Sequence, residues 1–217
     1  MYAAASLPAS ADLDDEIKAR CKVNALTQEC VKEAETALLA KHAKLVKRQG
    51  NTLELFLANA KVKKLTDVYD KDREFDSINL LFFDYLKEVD QFLIKEQYYE
   101  GEGYQLVDRK TGWAQKLDEA PVLSPDRKHF VTVSICEAYC RYRMQIWRQE
   151  HGGWFEMVWS HTPYESWLTG SAKWLDNATI EITTQIASNP SKGNYHYVKQ
   201  PRYLKLQPHG WILTDKS

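Results

Sequence analysis

Four cysteines, Cys21, Cys30, Cys136 and Cys140, stand in two local pairs along a chain of 217 residues. Thiols so spaced have three chemistries open to them. In an oxidising compartment they form two disulfides, for which three connectivities exist. As zinc ligands, the Cys136-x3-Cys140 pair has finger-like spacing, whereas Cys21-x8-Cys30 does not. As reduced thiols they are small, inert hydrophobes. The disulfide expectation is carried forward for all four, and no metal is assigned. If Cys21 and Cys30 are bonded, they cannot share one continuous helix. Nine residues rise ~13.5 Å along a helix axis, about twice the span of a disulfide-bridged Cα pair. The stretch KVNALTQEC offers a break, with Asn24 for a turn and Thr27 as an N-cap.

Catalytic signatures are missing from the rest of the sequence. There is no nucleophile elbow, P-loop, dinucleotide fingerprint, HExxH or EF-hand loop, and no cofactor is expected. Six histidines, His42, His129, His151, His161, His196 and His209, are scattered without metal-ligand spacing. His42 lies among polar neighbours and reads as a surface residue. Asp126 and Asp176 sit in Ser-Pro-Asp and Leu-Asp-Asn contexts, which make them turn residues rather than a catalytic pair. The enzymatic alternative is an envelope hydrolase acting on glycans or peptides, with Asp126, Glu137 and Glu165 converging in one cleft.

The remaining chemical signal is aromatic, with seven tryptophans and twelve tyrosines. Trp147, Trp159, Trp174 and Trp211 fall on strand patterns and are expected in the core. The stretch SHTPYESWLTGS, residues 160–171, reads as a polar loop carrying Tyr164 and Trp167. CEAYCRYR adds Tyr139, Arg141, Tyr142 and Arg143, on a hairpin loop stiffened by its two cysteines. Aromatic and arginine side chains on rigid loops are favoured anchors for partners. Tyr139, Arg141, Tyr142, Tyr164 and Trp167 are therefore the candidate binding residues. If the two loops share one end of the fold, they make a Tyr/Trp/Arg surface.

Several elements must hold these loops. The opening MYAAASLPASADLDDE places Ala9-Ser10-Ala11 before an acidic stretch, like the tail end of a secretory signal. Residues 1–11 are expected to be a signal remnant or tail, and the protein periplasmic or secreted. Residues 12–50 read as helical, with a short helix near 12–20 and a longer one near 28–48. In the longer one, Glu29, Glu33 and Glu35 precede Lys41, Lys44, Lys47 and Arg48, an order that suits the helix dipole. Val31, Ala34, Leu38 and Leu45 form its apolar stripe, and Gly50 its stop. Residues 51–217 read as an antiparallel β domain. A net charge of −1 gives no electrostatic basis for nucleic-acid binding. No apolar run approaches the roughly 18 residues of a membrane-spanning helix.

Within the β region, NTLELFLAN and VKKLTDVY alternate in hydrophobicity. SINLLFFDYLKEVDQFLIKEQYY then reads as two strands divided near residues 87–91. GYQLVD, the turn RKTG and WAQKL follow. From there a unit recurs. LSPDRKHFVTVS, MQIWR and HGGWFEMVWS give a turn and three strands, and AKWLDNATIEITT restarts the pattern, with NYHYV, RYLKL and GWILT completing it. Asp126 and Asp176 lie 50 residues apart, within the range of propeller-blade repeats.

The stretch YQLVDRKTGWAQKLDEAPVLSPDRKHFVTVS…MQIWR resembles the blade repeat of WD40-like, PD40-type bacterial β-propellers over residues 98–185. Arg127 replaces the glycine that usually ends the Ser-Pro-Asp turn. The whole chain is similar to exported bacterial proteins with a helical start and a partial propeller. The Cys21–Leu45 segment loosely resembles the Cys-pair helical module of lysozyme-inhibitor-type envelope proteins. The fold implied is mainly β with an N-terminal α-helical segment, an antiparallel meander of blade-like units. The chain after Gly50 allows about three blades, and closed propellers usually have four or more, so a complete propeller is not expected. The function implied is an exported, non-enzymatic binding protein of inhibitor or immunity type. Its partner would be another protein of the envelope or secreted fraction. A structural subunit of an envelope assembly is a further alternative.

Overall fold

Two capped helices open the structure. Helix α1 spans Leu13–Arg20, and Asp12 caps it by accepting the Asp15 N–H. Helix α2 spans Gln28–Lys41, capped by Thr27, whose hydroxyl oxygen accepts the Cys30 N–H. Cys21 and Cys30 are disulfide-bonded with their Cα atoms 5.9 Å apart, so the helical stretch breaks where their spacing required. The computed structural model describes residues 12–21, 27–69, 76–134, 143–162, 167–188 and 196–215, without the side chains of 167–169, 185–188, 196 and 197. Cys136 and Cys140 lie outside these residues.

Helix α2 is shorter than the charge order suggested. Its C-cap is His42, whose N–H bonds the carbonyls of Leu38 and Leu39. Val46–Gln49 is instead strand β1, paired with β2 (Thr52–Phe56) around Gly50 at φ +58°. A glycine able to take positive φ closes a tight hairpin as readily as it caps a helix. Here pairing with β2 and burial of Val46 opposite Leu55, both 0% exposed, override helix propensity. Strand β3 (Val62–Thr66) completes this first sheet in the order β1-β2-β3.

The remaining strands form three consecutive meanders of four. The second sheet holds β4 (Asn79–Leu86), β5 (Gln91–Tyr98), β6 (Gly101–Asp108) and β7 (Ala114–Leu117). The third holds β8 (Val122–Leu123), β9 (His129–Ser134), β10 (Arg143–Gln149) and β11 (Phe155–His161). The fourth holds β12 (Trp167–Trp174), β13 (Thr179–Ser188), β14 (His196–Gln207) and β15 (Gly210–Thr214). Strand order in each follows chain order, and among the described residues no sheet closes on itself. The fold is thus mainly β, with two N-terminal helices and four antiparallel sheets.

Contacts divide the chain into two compact units, Met1–Lys116 and Leu117–Ser217. In the first, Ala34, Leu38, Val46, Leu53, Leu55, Phe82, Phe92 and Ile94 are all 0% exposed. Every residue from Gln91 to Glu96 of β5 is buried, as in a strand covered on both faces. This double burial explains why residues 77–97 lack clean alternation. The β6–β7 turn is held by Asp108, which accepts the Thr111 N–H and hydroxyl at 2.7 Å each.

In the second unit Val131, Met144 and Ile146 of the third sheet pack against Trp174, Ile180, Ile182, Leu204 and Trp211 of the fourth. The repeat seen in the sequence has a physical counterpart at the turns. Asp126 accepts the Lys128 N–H at 3.1 Å and the Ser124 hydroxyl at 2.7 Å, and Asp176 accepts the Ala178 N–H at 2.7 Å. The two turns touch, because the Asp126 N–H donates to the Asn177 side chain at 3.0 Å. Beside them the Trp174 indole donates to the Val122 carbonyl at 2.8 Å. Arg127 occupies the position where the repeat usually carries glycine, and its φ is +63°. The part of NYHYV from His196 onward and RYLKL merge into the single strand β14, while Asn194 and Tyr195 lie outside the described residues. Pro201 is tolerated there because β15 pairs only with Tyr203–Gln207, so no neighbour needs a proline N–H on that side.

Candidate functional site

The sequence placed its binding residues on two loops. The stems of those loops are described. Ser134, ending β9, pairs with Arg143, which begins β10, and Met144 pairs with His161, which ends β11. Segments 135–142 and 163–166 therefore leave the third sheet at the same end. Strand β12 begins at Trp167, five residues after Thr162, within about 18 Å of chain reach. Segment 189–195 joins Ser188 and His196, which are paired at the same end of the fourth sheet as Trp167.

Tyr139, Arg141, Tyr142 and Tyr164 themselves lie outside the described residues, as do Glu137 and Glu165. Trp167 is not in a loop. It opens β12 and pairs with Ile186, because β11 runs through His161 and β12 takes up residues 167–171. The polar composition of 160–171 concealed these strand ends. Polar residues are expected at the end of a strand that faces solvent. Arg143 is half-buried at its stem and pairs with Asp118 at 3.3 Å.

At the opposite end of the same sheet, Ser124, Asp126 and His129 bring nucleophile, acid and base types together. Their bonding is that of a turn. The Ser124 hydroxyl donates to Asp126 and accepts the His129 backbone N–H at 3.0 Å. The His129 ring points elsewhere, toward Trp174 and Trp211 at 6.4 and 5.9 Å. Burial lowers its pKa, partly countered by Asp126. For Asp126, burial acts upward, but the bonds from Ser124 and Lys128 outweigh it and hold the carboxyl below its ordinary range.

The first unit contains a feature that the sequence did not announce. Helix α2, the β1–β2 turn, the end of β3 and the outer ends of β4, β5 and β6 surround a groove of about 790 Å³. Its floor is an ionic network. Glu35 is 2% exposed and receives Arg48 Nε and Nη2 at 2.9 Å each, together with the Phe82 N–H at 2.7 Å. Arg48 also donates to the Leu80 carbonyl and reaches Asp67 at 3.5 Å, while Asp67 accepts the Leu80 N–H at 2.9 Å. The charge order of residues 29–48 had placed Glu35 and Arg48 at opposite ends of one helix. Instead they are partners between a helix and a strand, and only the hairpin at Gly50 brings them together.

Above this floor the rim is mostly neutral and polar. Asn79, Gln97 and Glu102 are successive cross-strand partners over β4, β5 and β6. Glu102 is paired with Lys95 at 2.7 Å, and Lys95 lies over the rings of Phe83 and Tyr104 at 5.9 and 5.7 Å. The Tyr98 hydroxyl donates to Glu96, and burial together with that carboxylate pushes its pKa well above the ordinary phenol range. Gln28 and Lys32 of α2 and Asn51 of the hairpin complete the polar wall.

A further cluster lies at the C-terminal end of α2. His42 meets Phe82 and Tyr85 edge-on at 5.4 and 6.2 Å, so it is half-buried and not the surface residue its neighbours suggested. Burial lowers its pKa, partly countered by Asp84. The Tyr85 hydroxyl donates to Asp90 at 2.6 Å, and Arg109 donates to the same oxygen at 2.5 Å. Asp90 has φ +55°, and this bonding locks the β4–β5 turn.

No family model matches the chain, and no curated protein sequence matches it. Among solved structures it is similar to a protein from Lactobacillus plantarum, with a TM-score of 0.33 and 11% identity, covering 73% of this chain and 55% of that one. It is also similar to a candidate 6-phosphogluconolactonase from Bacteroides fragilis, with a TM-score of 0.34 and 8% identity, covering 78% of this chain and 67% of that one. The chain thus spans about half the length of the first. Among the described residues no helix is long and apolar enough to cross a membrane.

Proposed function

We propose that this chain is an extracytoplasmic, non-enzymatic recognition protein that captures another protein of the envelope or secreted fraction, in the manner of an inhibitor or immunity protein. The contact surface is the loop end of the third and fourth sheets, with Tyr139, Arg141, Tyr142, Tyr164 and Trp167 as anchors. One observation carries the reading. The register of β9, β10 and β11 sends segments 135–142 and 163–166 out of the same end of one sheet. Two segments bearing Tyr and Arg residues thus start from neighbouring stems, and Trp167 lies within chain reach of one of them, which supports a shared contact surface. The Cys21–Cys30 bond supports the oxidising compartment, and with it a second disulfide at Cys136–Cys140 across the base of the longer loop.

The test is affinity capture from envelope and secreted fractions, read by mass spectrometry. Wild-type protein should retain one partner stoichiometrically. Tyr139→Ala and Trp167→Ala should lose it while keeping the far-UV circular dichroism of the parent. A blank with wild-type protein, or undiminished capture by the variants, refutes the assignment.

A further inference from the structure

The groove of the first unit is built from other residues than the loops just discussed, and nothing in the proposed partner capture uses it. Its volume of about 790 Å³ is that of a small-ligand site. What it offers a ligand follows from which of its polar groups are already engaged. Glu35, Arg48 and Asp67 are bonded to one another and to the backbone of Leu80 and Phe82, and Glu102 is paired with Lys95. The charges at the floor are therefore neutralised internally, and of the charged lining residues Lys32 of α2 alone makes no ion pair among the described residues, so the groove carries at most one free charge. Among the described residues, the carboxamides of Gln28, Asn79 and Gln97 make no hydrogen bond, and Asn51 is engaged only by the hydroxyl of its neighbour Thr52 at 3.4 Å. Each carboxamide presents two donors and an acceptor.

The placement of these amides is regular. Asn79 pairs with Gln97, and Gln97 pairs with Glu102, so three polar side chains cross β4, β5 and β6 as a row. Neighbouring positions in such a row are about 4.8 Å apart, set by the strand spacing. Tyr98, 37% exposed, follows Gln97 on β5 and projects from the other face of the sheet, where its hydroxyl is held by Glu96. Neutral donors and acceptors at a regular spacing suit a ligand with many hydroxyls on one edge.

We propose that this groove binds a short neutral saccharide, whose hydroxyls are read by Gln28, Asn51, Asn79 and Gln97. Binding requires no movement of the ionic floor. Because the loop residues of the second unit take no part, partner capture and sugar binding stand or fall separately.

The experiment titrates the full chain with cellotriose, maltotriose and chitotriose, each to millimolar concentration, by isothermal calorimetry and by amide NMR. At least one trisaccharide should bind saturably and shift the side-chain amide resonances of Asn79 and Gln97 in the wild-type protein. Asn79→Ala and Gln97→Ala should each weaken that binding about tenfold, the loss expected for one hydrogen bond. The wild-type NMR readout keeps the test decisive if a variant folds poorly. Absence of binding by all three sugars overturns the proposal. So does binding that leaves the Asn79 and Gln97 resonances unmoved, or tighter binding of the uncharged peptide probe N-acetyl-trialanine amide.

Discussion

Replacing Arg48 by Met tests whether the first unit is organised around its ionic floor. The substitution keeps an unbranched apolar stem and removes the guanidinium. Glu35, whose side chain is 3% exposed, then keeps only the Phe82 N–H as a donor, and the Leu80 carbonyl loses its bond to Arg48. Stranding one member of a buried ion pair costs about 3–5 kcal/mol. For a chain of this size that corresponds to about 6–20 °C in the unfolding midpoint. The companion variant adds Glu35→Gln, which removes the stranded charge while retaining an acceptor for Phe82. If the cost is mainly the buried charge, the double variant should recover at least about 1.5 kcal/mol relative to Arg48→Met alone, because directly bonded residues do not add. Calorimetry and urea unfolding followed by circular dichroism give the midpoints, and coincidence of the two checks that one transition is being measured. A loss below about 1 kcal/mol for Arg48→Met, or a double variant that is worse than the single, refutes the clamp.

Three other predictions follow from the same structure. Replacing both Cys21 and Cys30 by Ser opens a loop of nine-residue separation and should cost about 2–3 kcal/mol, read as a lower urea midpoint; an unchanged midpoint contradicts it. Arg127→Gly should change stability by less than about 1 kcal/mol, because relief of the +63° φ offsets loss of the Arg127 bond to the Ser124 carbonyl, whereas Arg127→Val should lose at least about 1 kcal/mol. Burial lowers the pKa of His42, His129 and His161, so their contribution to stability is full above the unfolded value of about 6.5 and is lost as pH falls through their folded values. The unfolding midpoint at pH 5 should lie below that at pH 7.5, and His42→Gln should flatten the profile; a midpoint equal at both pH values argues against these burial effects.

Much of the architecture is legible in the sequence wherever the signal is local. Thr27 caps α2 because a hydroxyl three residues before an amide suffices, and the spacing of Cys21 and Cys30 alone demands a break. Asp126 and Asp176 could be read as turn residues because an Asx turn needs only its own backbone. Arg127 shows how far such reading extends. The repeat marks the position as one for glycine, and the residue there adopts a glycine-like φ without being glycine. The errors arise where tertiary pairing overrides local preference. Residues 46–48 look helical by charge order, yet Val46 gains more by pairing with Leu55 than by extending α2. His42 has polar neighbours in the chain, but the aromatic rings that bury it come from β4. The groove was not legible at all. Gln28, Asn51, Asn79 and Gln97 belong to four different elements, and their convergence depends on the hairpin at Gly50 and the register of the second sheet.

The paired turns of the second unit bear on the order in which it assembles. Each hairpin of the third and fourth sheets closes over a short stretch of chain, whereas the bonds joining the two sheets, Asp126 to Asn177 and Trp174 to Val122, span 51 and 52 residues. Loop-closure entropy favours the short closures first. The meanders therefore form as separate pieces, and the junction between them sets only once both turns are shaped. A defect at Asp126 or Asn177 would then leave intact hairpins that fail to dock, with their Trp, Ile and Met faces open to other chains.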